Sequence, residues 1–316
     1  MAKIVVAQKT AAPVLNRLAH YGEVIEICSQ DESEVREACK DAECLQIGTW
    51  MKVTADFLDA APALRVISRT GVGVDNVDVA AATARKILVL HTPGVNALSV
   101  AEHTAALILA SAKHLLYLDR CVRVGQFQER RRYLPMDLSG KRLGLVGLGN
   151  VGKRVAELAH YALGMKVIAY DPFVTPTELY IQPAKELENV LRESDVISIH
   201  VPLLESTKKL IGQAQLEQMR HTAILVNTSR GGIVDEDALC QALQSGRIGG
   251  AALDVFENEP PDPQCPLFTL DNVILTPHAA ALTKECAERT AMCAAEGIID
   301  YLSGKTPLHV FNGCEP

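Results

Sequence analysis

Short runs of valine, isoleucine and leucine recur along the whole chain without the strict alternation of a strand that is solvated on one face. One series occupies 3–7, 24–28, 44–47, 64–68 and 87–90, with helical periods such as 33–40 and 54–60 between its members. A second series occupies 142–147, 166–170, 196–201, 223–227, 249–255 and 273–276, which predicts six strands. Continuous apolar strands are buried on both faces, and that requires a parallel sheet covered by helices on each side. The rhythm is βαβ. The 316 residues leave room for two such sheets, so the predicted fold is α/β, with two doubly wound parallel-sheet domains.

The interruption at 91–99 contains Pro93 and Gly94, which stop a regular element, and Ser99 with Glu102 makes an S-x-x-E pattern suited to a helix start. A long helix is expected from there to Leu118, with Val100, Thr104, Leu107, Ile108, Ser111, Leu115 and Leu118 on its buried face. These signals place one domain at 1–98 plus 282–316 and the other at 99–281, the last helix (283 to about 302) returning the chain to the first.

Composition narrows the partners. The net charge of −7 and an aromatic share of 4% argue against phosphate-backbone binding and base stacking, which leaves a small molecule. Nine cysteines, an odd number with no C-x-x-C, read as reduced thiols rather than disulfides or metal ligands. The first residues lack a signal-peptide pattern, and no run approaches the roughly 20 apolar residues of a membrane span. The expected location is the cytoplasm.

Gly147, Gly149 and Gly152 form G-x-G-x-x-G between the strand at 142–146 and a helix at 153–161. In that context the first glycine permits a tight turn, the second lets a pyrophosphate approach the backbone, and the third lets helix and strand pack closely. Asp171 closes the next strand, 19 positions after Gly152, where a carboxylate can accept ribose hydroxyls. It would repel a 2′-phosphate, and Pro172, Phe173 and Val174 offer no compensating arginine, so NAD is the expected cofactor rather than NADP.

Three further segments each end a predicted strand, the edge where open α/β sheets bind ligands. Arg230 precedes two glycines, and its guanidinium fork suits a carboxylate. Asp254, Glu257 and Glu259 lie in an acidic turn ending at Pro260. His278 follows Pro277; an imidazole titrates near neutrality, and a neighbouring carboxylate would stabilise its protonated form. Either glutamate could supply that carboxylate. His200 reads as a core group, and His20, His160 and His221 as helix-surface residues.

In these segments and beyond them the chain resembles the NAD-dependent D-isomer-specific 2-hydroxyacid dehydrogenases over nearly its whole length, and within them the phosphoglycerate dehydrogenase type. The resemblance is carried by the stretches at 71–78, 99–104, 147–152, 170–172, 227–236, 253–260 and 276–278. It implies that Arg230 holds the substrate carboxylate, that His278 is the acid–base group, and that Glu259, which directly precedes the proline, pairs with His278. It also implies cofactor contacts from Gly147, Gly149, Asn150, Val151, Gly152, Asp171, Val201, Thr228, Arg230, Asp254, His278 and Thr104. Val72 and Gly73 would offer backbone amides to the substrate, and no metal is implied. The 99–281 domain would bind NAD and the other the substrate, with the active site in a cleft that closes on hinges near 96–99 and 281–283. A homodimer is implied, with 99–118 and the following loop at its interface.

The substrate would be a small 2-hydroxy or 2-oxo acid. Gly48 stands where phosphoglycerate-type relatives have an arginine for the phosphate, so Trp50 and Met51 could close the pocket around a smaller group, or Lys52 or Arg130 could restore the charge. Otherwise, Arg130 to Arg132 read as a solvated loop. Glyoxylate and hydroxypyruvate are the alternative substrates. NAD(H)-sensing corepressor scaffolds resembling this family are the alternative of another class, which the residues at 230, 259 and 278 do not exclude.

Overall fold

The computed structural model describes residues 1–132 and 134–314. These form two compact units, one of Met1–Asn96 with the chain from Leu282 onward, the other of Ala97–Ala281. The first border falls two residues before the position expected from sequence.

The first unit is built on a five-stranded parallel sheet. Its elements run β1 (Ala2–Ala7), α1 (Ala12–Ala19), β2 (Gly22–Glu26), α2 (Glu32–Ala38), β3 (Cys44–Ile47), α3 (Ala55–Asp59), β4 (Val66–Arg69), α4 (Val79–Ala84) and β5 (Leu88–Leu90), in sheet order β2-β1-β3-β4-β5. Successive side chains point to opposite faces of a strand, and here both faces are apolar. Val5, Ala7, Leu45, Ile47, Ile67 and Val89 pack with Val35, Phe57 and Leu58, while Ile4, Val6, Cys44, Val66 and Leu88 pack with Val14, Leu18, Ala295 and Ile298. Each such aliphatic side chain contributes about 1.5–3 kcal/mol on burial. That double demand explains the unbroken apolar runs. β2 nevertheless begins earlier than its run suggested, because Gly22 pairs with Ala2. After β5, Val310 bridges Leu90 in antiparallel sense, the Phe311 amide donates to the Val89 carbonyl (2.7 Å), and the Asn312 carboxamide bonds both the Val89 amide (3.1 Å) and the Ile87 carbonyl (2.9 Å).

The second unit opens with α5 (Ala97–Ala112) and α6 (Leu115–Arg123). The single helix expected at 99–118 is therefore two, broken where His114 takes φ +49°, and Leu115 beyond the break is exposed. Ser99 is not a cap: the helix begins directly after the turn at 93–96, and Ser99 is buried inside it. The sheet follows as β6 (Arg142–Val146), α7 (Asn150–Glu157), β7 (Lys166–Tyr170), β8 (Ile181–Pro183), α8 (Leu187–Glu193), β9 (Val196–Ile199), α9 (Gln213–Leu216), β10 (Ile224–Asn227), α10 (Glu236–Gln244), β11 (Gly250–Leu253) and β12 (Val273–Leu275). It has seven parallel strands in the order β12-β11-β10-β9-β6-β7-β8. The unforeseen strand is β8, whose three residues end at Pro183 on the sheet edge, a place where a missing amide costs no ladder bond. Leu143, Leu145, Val167, Val226 and Ala252 face Ala101, Leu107, Ile108 and Val155, whereas Ile168, Ile197, Ile199, Leu225 and Leu253 face Val190, Leu216 and Leu239. α11 (Lys284–Leu302) then joins the first unit, its N-terminus capped by Thr283. Strand order reverses between β6 and β9, so the carboxyl ends around that switch point form the crevice where this topology binds ligands.

Candidate active site

The crevice at the end of β6 is shaped by glycines. Gly147 adopts φ +98°, and a Cβ there would lie 2.6 Å from the His200 carbonyl oxygen, so both conformation and space exclude a side chain. A Cβ on Gly152 would fall 2.4 Å from the Gly147 oxygen. Gly149, the N-cap of α7, is different: its φ is −74°, and nothing lies within 4 Å of where a Cβ would be. The bare fold does not need glycine there. An anion approaching the first-turn amides of α7 does, and by this open cradle the residues fit the pyrophosphate of NAD. Asn150 and Val151 form that first turn, and Val201 lies against Gly147 from the end of β9.

Asp171 follows β7 as its spacing predicts, and its carboxylate also braces the turn. One oxygen accepts the Leu148 amide (2.8 Å), the other the amides of Phe173 (2.8 Å) and Val174 (3.0 Å). An ionised carboxylate has about four acceptor sites, so it can still take a ribose hydroxyl. His200 shares a hydrogen bond with Ser198 Oγ (2.9 Å), and burial pushes its imidazole down to about 3, which keeps it neutral.

At the end of β10 the Asn227 side chain shapes the arginine loop. Its Oδ1 accepts the Ser229 amide (3.0 Å) and hydroxyl (2.8 Å), and its Nδ2 donates to the Arg230 carbonyl (2.9 Å). Arg230 is half-buried and donates from Nη1 to the Ser229 carbonyl (2.8 Å). A Cβ on Gly231 would lie 1.7 Å from the Phe256 oxygen, so this loop is pressed onto the turn that carries the acidic residues. Thr228 and Thr104 share a hydroxyl–hydroxyl bond (2.8 Å), which joins this loop to α5.

Parallel pairing carries the network onward. The Asp254 amide donates to the Asn227 carbonyl (2.9 Å), and the His278 amide donates to the Asp254 carbonyl (2.7 Å). His278 has φ +51°, a left-handed conformation that costs a non-glycine residue about 1–3 kcal/mol unless its surroundings enforce it. They do: the fully buried Asp254 carboxylate accepts the amides of Ala279 (2.8 Å) and Ala280 (2.9 Å), the two residues after the histidine. The imidazole meets Glu259, Nδ1 to Oε2 at 2.7 Å, while Glu259 Oε1 accepts the Phe256 amide (3.1 Å). Nδ1 is thus committed, and Nε2 is the nitrogen left for proton exchange.

Of the two candidate glutamates, only Glu259 touches the imidazole. Glu257 and Glu236 exchange backbone amide bonds at 3.0 and 2.5 Å, which clamps the acidic turn to the start of α10. Burial raises the Glu236 carboxyl, with Glu257 and Glu259 adding repulsion, while Lys209 lies 2.9 Å from Asp235 and 4.0 Å from Glu257. Sequence reasoning gave no role to Asn227 or His103. The first could have been found as an asparagine preceding a turn; the second bonds Thr276, 173 positions away, beyond any local pattern.

In the first unit Val72 is exposed, and its carbonyl is bonded to His91 Nδ1 at 2.9 Å; Gly73 adjoins it. Met51 does not face a pocket. It is 1% exposed in the core, and Trp50 donates from Nε1 to the Ala7 carbonyl at 2.8 Å. A side chain at Gly48 would meet Gln8 Oε1 at 2.6 Å. Arg130 is solvated, as expected, and lies in a 3-10 turn (Phe127–Arg131), its guanidinium 4.5 Å from the Phe127 ring centre. His160 lies on a π-helical turn (Leu158–Ala162), half-buried and stacked on Tyr180 (4.5 Å), while His221 is exposed as expected but stands in a turn rather than on a helix. Among the described residues no group of three His, Cys, Asp or Glu could hold a metal ion, and no helix is long and apolar enough to cross a membrane.

Residues 105–280 match the family model for the D-isomer specific 2-hydroxyacid dehydrogenase, NAD binding domain. A D-3-phosphoglycerate dehydrogenase of Archaeoglobus fulgidus is 42% identical over 96% of this chain, which spans 58% of that relative's length. A glyoxylate reductase of Aeropyrum pernix is 44% identical over 86% of this chain and 84% of its own. Among solved structures, the TT0316 protein of Thermus thermophilus superposes with a TM-score of 0.85 at 35% identity, covering 98% of this chain and 99% of that one. Its sheet order, glycine cradle and matched segment place this chain in the D-isomer specific 2-hydroxyacid dehydrogenase family, with NAD(H) as its cofactor.

Proposed function

We propose that this protein interconverts a small D-2-hydroxy acid and its 2-oxo acid. The observation that carries the reading is the His278–Glu259 pair, an imidazole whose Nδ1 is held at 2.7 Å by a carboxylate. Bound NAD(H) supplies or accepts the hydride. His278 Nε2 delivers a proton to the substrate oxygen in reduction and removes it in oxidation, and the Glu259 carboxylate stabilises the charged imidazole meanwhile. Arg230 neutralises the substrate carboxylate and the charge growing on the reacting oxygen. Gly147, Gly149, Asn150, Val151, Gly152, Asp171, Val201, Thr104, Thr228 and Asp254 hold or frame the cofactor, and Val72 and Gly73 bind the substrate. In this reading residues 99–281 form the NAD-binding domain, and 1–98 with 282–316 the substrate-binding domain.

The first substrate is the 3-phosphoglycerate/3-phosphohydroxypyruvate pair, by likeness to the phosphoglycerate-type relatives. Glyoxylate or hydroxypyruvate is the second reading, and Gly48 favours it, because the space beside it is filled by the neutral Gln8 carboxamide. The proposal extends to a homodimer through α5, α6 and the turn after them, where Leu115, Leu116, Val122, Val124 and Phe127 are exposed. It also extends to a reducing, cytoplasmic location, in keeping with nine unpaired cysteines. NADH oxidation is to be followed with 3-phosphohydroxypyruvate, glyoxylate, hydroxypyruvate and pyruvate. Turnover of one of them well above the rest is expected; NADH binding with no turnover of any 2-oxo acid would reject the enzyme reading and favour the corepressor-like scaffold.

A further inference from the structure

His103 lies on α5, away from the segments that carry the acid–base pair, yet it reaches the buried carboxylate beneath them. Its Nε2 is 3.1 Å from Thr276 Oγ1 and 3.6 Å from Asp254 Oδ1, while Thr276 Oγ1 is 2.5 Å from that same Asp254 oxygen. The proton count fixes the direction of these bonds. A hydroxyl has one proton, and an ionised carboxylate only accepts, so Thr276 donates to Asp254. Thr276 must then accept from His103, which makes Nε2 of His103 the protonated nitrogen. The result is a one-way relay from His103 Nε2–H to Thr276 Oγ–H to the Asp254 carboxylate.

Among the described residues, the remaining bonds of that carboxylate go to the backbone behind His278, through the amides of Ala279 and Ala280. The Asp254 carbonyl holds the His278 amide as well. The carboxylate is fully buried, and a buried charge lacking donors rearranges to find them. Removing the Thr276 hydroxyl, or the donor behind it, loosens the group that keeps His278 left-handed.

We infer that His103, acting through Thr276 and Asp254, is a positioning residue that fixes the backbone of His278 and with it the direction of the imidazole. This inference rests on the reading of His278 as the acid–base group. It predicts that kcat falls further than cofactor affinity, because the relay meets the histidine turn directly and touches the cofactor's surroundings only through Asp254. His103→Leu and Thr276→Val are expected to lower kcat about tenfold or more, to raise the Kd for NADH by a smaller factor than the loss in kcat, and to speed hydrogen exchange at the Ala279 and Ala280 amides. His103→Gln, whose Nε2–H stands near the lost donor, and Thr276→Ser, which keeps the hydroxyl, are expected to restore slow exchange and most of kcat. The amide exchange is read by NMR on the full chain and needs no substrate, so it decides the relay even if no 2-oxo acid is turned over. Unchanged exchange at both amides in His103→Leu and Thr276→Val, or equal losses in the Leu and Gln variants at position 103, would overturn it. Should His103→Leu fail to fold, Thr276→Val against Thr276→Ser gives the same decision.

Discussion

In the proposed reaction His278 shows how much depends on one side chain and how much on what holds it. Its Nδ1 is fixed on Glu259, its amide donates to the Asp254 carbonyl, and the next two amides, of Ala279 and Ala280, donate to the Asp254 carboxylate. His278→Gln is expected to lower kcat by roughly two to four orders of magnitude, with the Kd for NADH, followed by nucleotide fluorescence, nearly unchanged. A comparable loss in both would make the histidine structural. Much of this was legible in the sequence: a histidine after a proline at a strand end, an arginine before two glycines, and a glutamate directly before a proline. Glu257 was not separable from Glu259 on residue type, because what distinguishes them is the Glu236 partner that the first one finds across the fold. Asp171 was legible as an acceptor but not as a brace, since its amide partners at 148, 173 and 174 depend on how the glycine turn folds back.

At the scale of elements, apolar runs located the strands because both faces of each sheet are covered, and burial on two sides leaves little choice of residue. The errors have local causes. β8 is too short and too close to a proline to give a period, and the helix at 97–123 is broken by a left-handed histidine that no propensity marks. β9 and the residue after it have an energetic consequence. His200 ordinarily titrates near 6.5, but in the folded chain burial holds it down to about 3. Between those values the unfolded chain carries a proton there that the folded chain refuses, so stability is whole above 6.5 and drains away as the pH falls toward 3. The slope from this residue is at most about 1.4 kcal/mol per pH unit. His200→Asn is expected to flatten the acid side of the stability curve by up to one proton, measured by denaturant unfolding between pH 4.5 and 7. An unaltered slope would mean that the imidazole charges without penalty.

For the whole molecule, the exposed apolar side chains are not spread evenly: Leu115, Leu116, Val122, Val124 and Phe127 fall within thirteen consecutive positions. Patches of this kind on a folded chain mark association surfaces. Leu116→Glu with Val122→Glu is expected to convert the proposed dimer to monomer in sedimentation equilibrium, with native circular dichroism retained; an unchanged mass would place the interface elsewhere. The resemblance implied an interface at 99–118 and the loop after it, but the helix period alone did not separate this face, because the helix was read as continuous and an apolar helix face is buried alike within a subunit or between two. The five-stranded sheet, by contrast, is guarded against unwanted company. The segment at 310–312 already occupies the backbone groups along β5, while β2 at the opposite border carries Glu23 and Glu26. Plugged on one flank and charged on the other, this layer offers a stray polypeptide little to extend, and it is less liable to seed fibres when the protein is concentrated.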